Sequence, residues 1–323
     1  MRLKAGESVR IKGSAEIART LDPNGTLDGL PFMPEMLRYC GSVATVHRSA
    51  HKTCDAESIR RLDKVVHLAG LRCDGQAHGG CQIGCLFFWH EDWLEPDRAE
   101  LLEETAFDDG TAAELAKRSV RLHGRRPDSG TYSCQATEIS LITADLPWYS
   151  PRQYLDDLRS NNITLLQFIR VAPSILFNGY QEVSKRLFPR ALWIRGGRPY
   201  PSVIGQLQRT PTGRLDLQIG ERVSVKSRQE ILETLDRNGA NRGLTFDWEM
   251  LPMCGKDAVV SRIVKTLIEE RTGRLREVQN PCVILEGVSC VGRYHRFCPR
   301  SQDSFWREIW LERIPASEEP RAD

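Results

Sequence analysis

The chain carries one sulfur-and-imidazole pattern twice, inside two stretches that share their order of residues. Cys-x4-His-x2-Cys occurs as Cys73, His78 and Cys81, and again as Cys290, His295 and Cys298. The first stretch runs from Gly6-Glu7-Ser8-Val9 to Trp93-Leu94-Glu95, the second from Gly220-Glu221-Arg222-Val223 to Trp310-Leu311-Glu312. A self-repeat constrains architecture before local propensity is considered, because each copy must fold as the same kind of unit. Thiolates and an imidazole at matched positions are also the donors that transition metals select.

Gly6 aligns with Gly220 at an offset of 214 residues. That offset holds through Leu21-Asp22 on Leu235-Asp236, Asn24-Gly25 on Asn238-Gly239, Phe32 on Phe246, Glu35-Met36 on Glu249-Met250, and Cys40-Gly41 on Cys254-Gly255. From Cys73 on Cys290 the offset is 217, so the second copy holds extra residues, placed in a variable loop near 49–61 or 264–275. Val9/Ile11, Ala44/Val46 and Val66/Leu68 alternate with other residues, as do Val223/Val225, Ala258/Val260 and Val283/Leu285. That period predicts half-buried strands. Ser227 and Glu230 form a capping box ahead of a short helix, with Gly13 and Glu16 in the same places of the first copy. The Asn-Gly pairs supply the positive φ that closes the following turn. Short strands with glycine turns fit a small SH3-like β-barrel in each copy.

Residues 96–216, between the copies, read differently. The acidic stretch 97–107 and residues 111–122, 151–159 and 162–170 carry helical signals, with Pro173 ending or kinking the last. Leu165, Leu166, Phe168 and Ile169 give that helix a broad apolar face, and the whole segment reads as a helical middle domain that packs between the barrels or bridges them. The expected fold class is α+β: barrel repeats at 1–95 and 217–314, a mainly helical middle at 96–216, and a polar, disordered tail at 315–323.

Tetrahedral zinc needs four ligands, so each Cys/His/Cys triplet needs one more. Cys40 and Cys254, at equivalent positions, are the expected fourth ligands. Cys85, which faces Gln302 in the alignment, and Cys282, which faces Val65, are the rivals. Zinc is the expected cofactor. An iron–sulfur cluster on Cys73, Cys81, Cys85 and the unduplicated Cys134 is the alternative. Glu35/Glu249 and Glu91/Glu308 also match between copies and could orient a ligand or serve as a base, although capping or solvent-facing roles weigh more. Phe88-Trp89-x3-Trp93 and Phe305-Trp306-x3-Trp310 read as core packing in preference to an aromatic ligand platform. The basic run Lys117, Arg118, Arg121, Arg125 and Arg126, with His123, reads as a solvated helix face in preference to a phosphate contact.

A net charge of +2 gives no strong field for nucleic acid or an anionic membrane. The apolar stretch 163–177 is broken by Gln167, Arg170 and Pro173, which argues against a spanning helix. Ten cysteines behind a polar first thirteen residues point to a reducing, cytoplasmic setting, where clustered thiols act as ligands or catalysts. There is no phosphate loop, dinucleotide fingerprint, serine elbow or His-Glu-x-x-His. The expected function is therefore a zinc-binding two-repeat protein, its metal sites structural, serving as a binding or scaffold module for an unknown protein or small-molecule partner. The alternative is a metal- or thiolate-dependent biosynthetic enzyme, with Cys134, Glu91 and Glu308 as candidate catalytic residues.

Overall fold

The computed structural model describes residues 3–55, 58–97 and 109–315. The expected acidic helix falls almost wholly on residues 98–107, and the expected disordered tail on 316–323, both outside the described residues. Helix and strand occur in near-equal shares, 31% and 29%, in an α+β arrangement. The chain divides into two units. The first comprises Met1–Pro173, Thr266–Arg276 and Val291–Gln302; the second comprises Ser174–Lys265, Glu277–Cys290 and Asp303–Asp323.

The first unit is built on β1 (Ser8–Ile11), β2 (Val43–Ser49), β3 (Lys52–Cys54), β4 (Ile59–Arg61), β5 (Val65–Arg72), β6 (Leu86–His90) and β7 (Leu94–Pro96). Five of them form one antiparallel, curled sheet in the order β6-β5-β2-β1-β7. Alternation places Val9, Ile11, Val46, Val66 and Leu68 on its buried face, where Trp89 and Trp93 complete the core. The span expected as a variable loop instead holds the β3–β4 hairpin. Lys52 at its start is fully buried, because Asp157 Oδ2 lies 2.5 Å from its ammonium.

Helices α1 (Ser14–Ala18), α2 (Asp109–Ser119), α3 (Gln135–Ile142) and α4 (Pro151–Arg159) surround this sheet. The side chain of Gln135 fixes α3 to β6: its Oε1 accepts from Phe88 N at 2.9 Å, and its Nε2 donates to Phe88 O at 2.8 Å and Pro31 O at 3.0 Å. That bond set also delivers Cys134, the N-cap of α3, to the site below. The basic run is not a uniform solvated face. Arg125 pairs with the buried carboxylate of Glu138, which also takes His123 at 2.9 Å.

The second unit holds β8 (Arg222–Val225), β9 (Asp257–Ile268), β10 (Leu275–Ser289), β11 (Asp303–Arg307) and β12 (Leu311–Arg313), the tips of β9 and β10 counting with the first unit. Its strand order, β11-β10-β9-β8-β12, is that of the first sheet. Its core is Val223, Val225, Phe246, Val260, Val283, Trp306 and Trp310. Individual contacts also match. Trp93 Nε1 donates to Thr20 Oγ1 at 3.0 Å, and Trp310 Nε1 to Thr234 Oγ1 at 2.9 Å. Phe32 stands edge-on to Trp93 at 5.4 Å, and Phe246 to Trp310 at 5.1 Å. The Asp22 carboxylate accepts from Asn24 and Thr26 N–H groups, and that of Asp236 from Asn238 and Ala240.

Helix α5 (Leu165–Leu187) does not end at Pro173 but continues through it. The proline ring sits on an exposed position, so the carbonyl it orphans one turn back can bond to water. Its apolar face is open: Leu165, Leu166 and Ile169 are all more than half exposed. Phe168 alone of the four is drawn in, with ring centroids 5.7 Å from Tyr154 and 6.4 Å from Phe297. Among the described residues, no helix is long and apolar enough to cross a membrane.

Candidate metal centre

Between β5 and β6 the chain coils back on itself. Cys73 N donates to Cys85 O at 2.9 Å, closing the loop at its base. Within it, His78 N and Gly80 N both donate to Gly75 O, at 3.1 and 2.9 Å. Gly75 has φ of +74°, and a Cβ there would lie 2.1 Å from Cys81 O, so only glycine permits this path. The turn swings His78 inward until 3% of it remains exposed.

His78 Nε2 then lies 3.5 Å from Cys73 Sγ, and Nδ1 lies 3.1 Å from Glu35 Oε1. Glu35 comes from the short helical turn Pro34–Tyr39, and its Oε1 also accepts from Ala77 N at 2.9 Å. The donor atoms of Glu35, Cys73 and His78 all lie within 4.8 Å of one another. Burial opposes ionisation of Glu35, but the His78 side chain and the Ala77 N–H outweigh it and hold the carboxyl below its usual value. Oε2 of this buried carboxylate has no hydrogen-bond partner among the described residues.

Three more thiols, those of Cys81, Cys85 and Cys134, line the same cavity as Cys73 and His78. Its volume is about 30 Å³. Cys81 Sγ accepts from Ile268 N at 3.4 Å, and Glu270, ion-paired with the buried Arg300, lines the cavity as well. Burial pushes Cys85 up to about 11 and Cys134 up to about 12, and raises Cys73 and Cys81 too. Four neutral thiols around one small cavity are chemically idle, and a cation among them would reverse that, since it favours thiolate.

Cys40 stands outside this set. It is buried in the core of the first unit, its Sγ 4.0 Å from Met36 O. Cys254 packs against the core of the second unit. Cys282, on β10, takes a bond at 3.2 Å from Arg307 Nη1. Cys290 Sγ lies 3.2 Å from Glu249 Oε2 within the second unit. His295 and Cys298 belong to the segment Val291–Gln302 of the first unit. There the backbone repeats the first loop: His295 N and Phe297 N both donate to Gly292 O, and a Cβ on Gly292 would meet Cys298 O at 2.2 Å. Cys298 Sγ accepts from Cys54 N at 3.1 Å.

Of the other candidates, Glu308 is a cap, its carboxylate accepting from the N–H groups of Leu215, Asp216 and Leu217. Glu91 opens the turn Glu91–Trp93 and is half-buried. All four motif tryptophans are fully buried core residues. Sequence reading did not single out Cys54, Glu270 or Arg300. Cys54 had a signal, a cysteine two residues after a lysine in an alternating stretch; Glu270 and Arg300 had none near Cys85 in the chain. No protein-family model matches this chain, and none of the curated proteins matches it either.

Proposed function

We propose that the first unit is a structural zinc module and that the protein serves as a binding scaffold built from two related SH3-like barrels. The observation that carries the metal reading is the separation of Cys73 Sγ from His78 Nε2, 3.5 Å. Zinc–sulfur and zinc–nitrogen bonds of about 2.3 and 2.0–2.1 Å at a tetrahedral angle place the two donors roughly 3.6 Å apart. Glu35 stands where a ligating histidine commonly finds the carboxylate that orients its other nitrogen. Cys81, Cys85 and Cys134, around the same cavity, are the candidates to complete the set.

A cavity of about 30 Å³ is the share of a single water molecule, enough for an ion and too small for an organic substrate. That favours a closed, structural site over a catalytic one. The matched strand order and the matched Thr–Trp, Phe–Trp and Asp-turn contacts support common descent of the two barrels. Ten free cysteines suit a reducing compartment such as the cytoplasm. One observation favours a second reading. Four thiols line one cavity, yet among the described residues no three of them approach to single-ion distances, which suits a larger iron–sulfur cluster. Elemental analysis and an absorption spectrum of protein purified without chelators separate the two. A colourless protein containing zinc supports the first reading, a brown one containing iron the second, and metal-free folded protein refutes both.

A further inference from the structure

We propose that the first unit carries, apart from its thiol-lined centre, a binding site for a phosphorylated small molecule, between the start of α5 and the segment Val291–Gln302. A cavity of about 390 Å³ opens there. That is within the range of pockets that hold nucleotide-sized ligands. Three guanidinium groups line it, those of Arg48, Arg170 and Arg293, and no carboxylate does.

The three arginines are not neutralised in place. Arg48 Nη1 donates to the neutral carbonyl of Val291 at 2.9 Å, which fixes the group without cancelling its charge. Arg170 and Arg293 take no carboxylate partner among the described residues. Elsewhere in this unit buried or half-buried cations are matched: Lys52 with Asp157, Arg125 with Glu138, Arg300 with Glu270. Like charges gathered around a concavity repel, and a bound polyanion relieves that repulsion.

The rest of the lining suits such a ligand. Asn162 is locked by its two bonds to the backbone of Ser49, so it shapes the wall without turning. Gln167 Oε1 is taken by Thr164 N at 2.8 Å, which leaves its amide nitrogen as a donor on the first turn of α5. The start of that helix adds the positive end of its dipole. Buried Phe297 closes the floor. Guanidinium forks match phosphate oxygens in pairs, and three of them suit a diphosphate better than a single carboxylate.

Calorimetric titration of the full chain with inorganic pyrophosphate, at low and moderate salt, tests this, with citrate as the carboxylate comparison. The expected result is saturable binding of pyrophosphate that weakens with salt and exceeds that of citrate. A double variant, Arg170→Gln with Arg293→Gln, should weaken it at least tenfold without moving the melting temperature, while Arg214→Gln in the second unit should leave it unchanged. Absence of binding, equal binding of citrate, or full binding by the double variant would overturn the proposal.

Discussion

The two units share a scaffold and differ in what they place inside it. Both keep the strand order, the tryptophan indole bonded to a threonine, and the aspartate-capped turn. In the first, Glu35 meets a buried histidine and a cysteine beside three further thiols. In the second, the Glu249 carboxylate lies 3.2 Å from Cys290 Sγ, Cys282 is engaged by Arg307, and Gln302 takes the alignment place of Cys85. What distinguishes the first unit is the single cavity lined by Cys73, Cys81, Cys85 and Cys134.

The largest expected effect follows from that difference. Chelation should destabilise the first unit more than the second, because structural zinc contributes an apparent ~10–16 kcal/mol, as much as an ordinary domain's whole stability of ~5–15 kcal/mol. Scanning calorimetry should show the first unit's transition lost or moved further than the second's. Two transitions that survive chelation unchanged, or move equally, would break the comparison.

Acid should divide the units next. His67 is wholly buried, its Nδ1 donates to Phe87 O at 2.9 Å, and burial lowers it to about 3. Above the ordinary histidine value near 6.5 both folded and unfolded forms are neutral, and its contribution is intact. As pH falls from 6.5 towards 3 the unfolded chain takes the proton first, so stability is lost, by at most roughly 5 kcal/mol. The second unit has Ile284 at the aligned position. His67→Ile should flatten the pH dependence of the first unit's unfolding between 6.5 and 4.5; an unchanged slope would place the acid sensitivity elsewhere.

A smaller effect sharpens the reading of the ligand loop. Gly75→Ala drives a methyl into the backbone at Cys81 and should cost about 3 kcal/mol. Gly80→Ala, at φ of +73° with open space around it, should cost only about 1 kcal/mol. In the second loop, Arg296 and Phe297 already hold positive φ of 51° and 59°, so that backbone tolerates side chains at the aligned places. Equal losses from the two substitutions in urea denaturation would mean that the close approach at Gly75 does not hold the loop.

Much of this was legible in the sequence because it is local. The period-two strands, the Ser227–Glu230 box and the five-residue spacing from Cys73 to His78 all act within a few positions, and each appears where its pattern points. What was hidden depends on distance along the chain. Cys40 looked like a ligand because it matches Cys254, yet its side chain turns into the core while its neighbour Glu35 reaches the histidine. Glu270 arrives from nearly two hundred residues away, and no spacing rule points to it. Buried Lys52 was invisible because its partner, Asp157, lies on helix α4, far along the chain. The apolar face of α5 looked like core from its composition, but composition does not say whether anything covers it.

The smallest effect should be common to both units. Thr20→Val and Thr234→Val each strand a buried indole N–H and should cost about 1–2 kcal/mol apiece. Unequal losses in thermal unfolding would show that the shared scaffold is shared in outline only.

X-ray absorption at the zinc edge, on protein purified without chelators, bears most directly on the thiol-lined centre. A shell of sulfur near 2.3 Å with one nitrogen near 2.0–2.1 Å, lost on Cys73→Ser and His78→Ala, is the result expected. Zinc surrounded by oxygen alone, or a spectrum that both substitutions leave untouched, would contradict it.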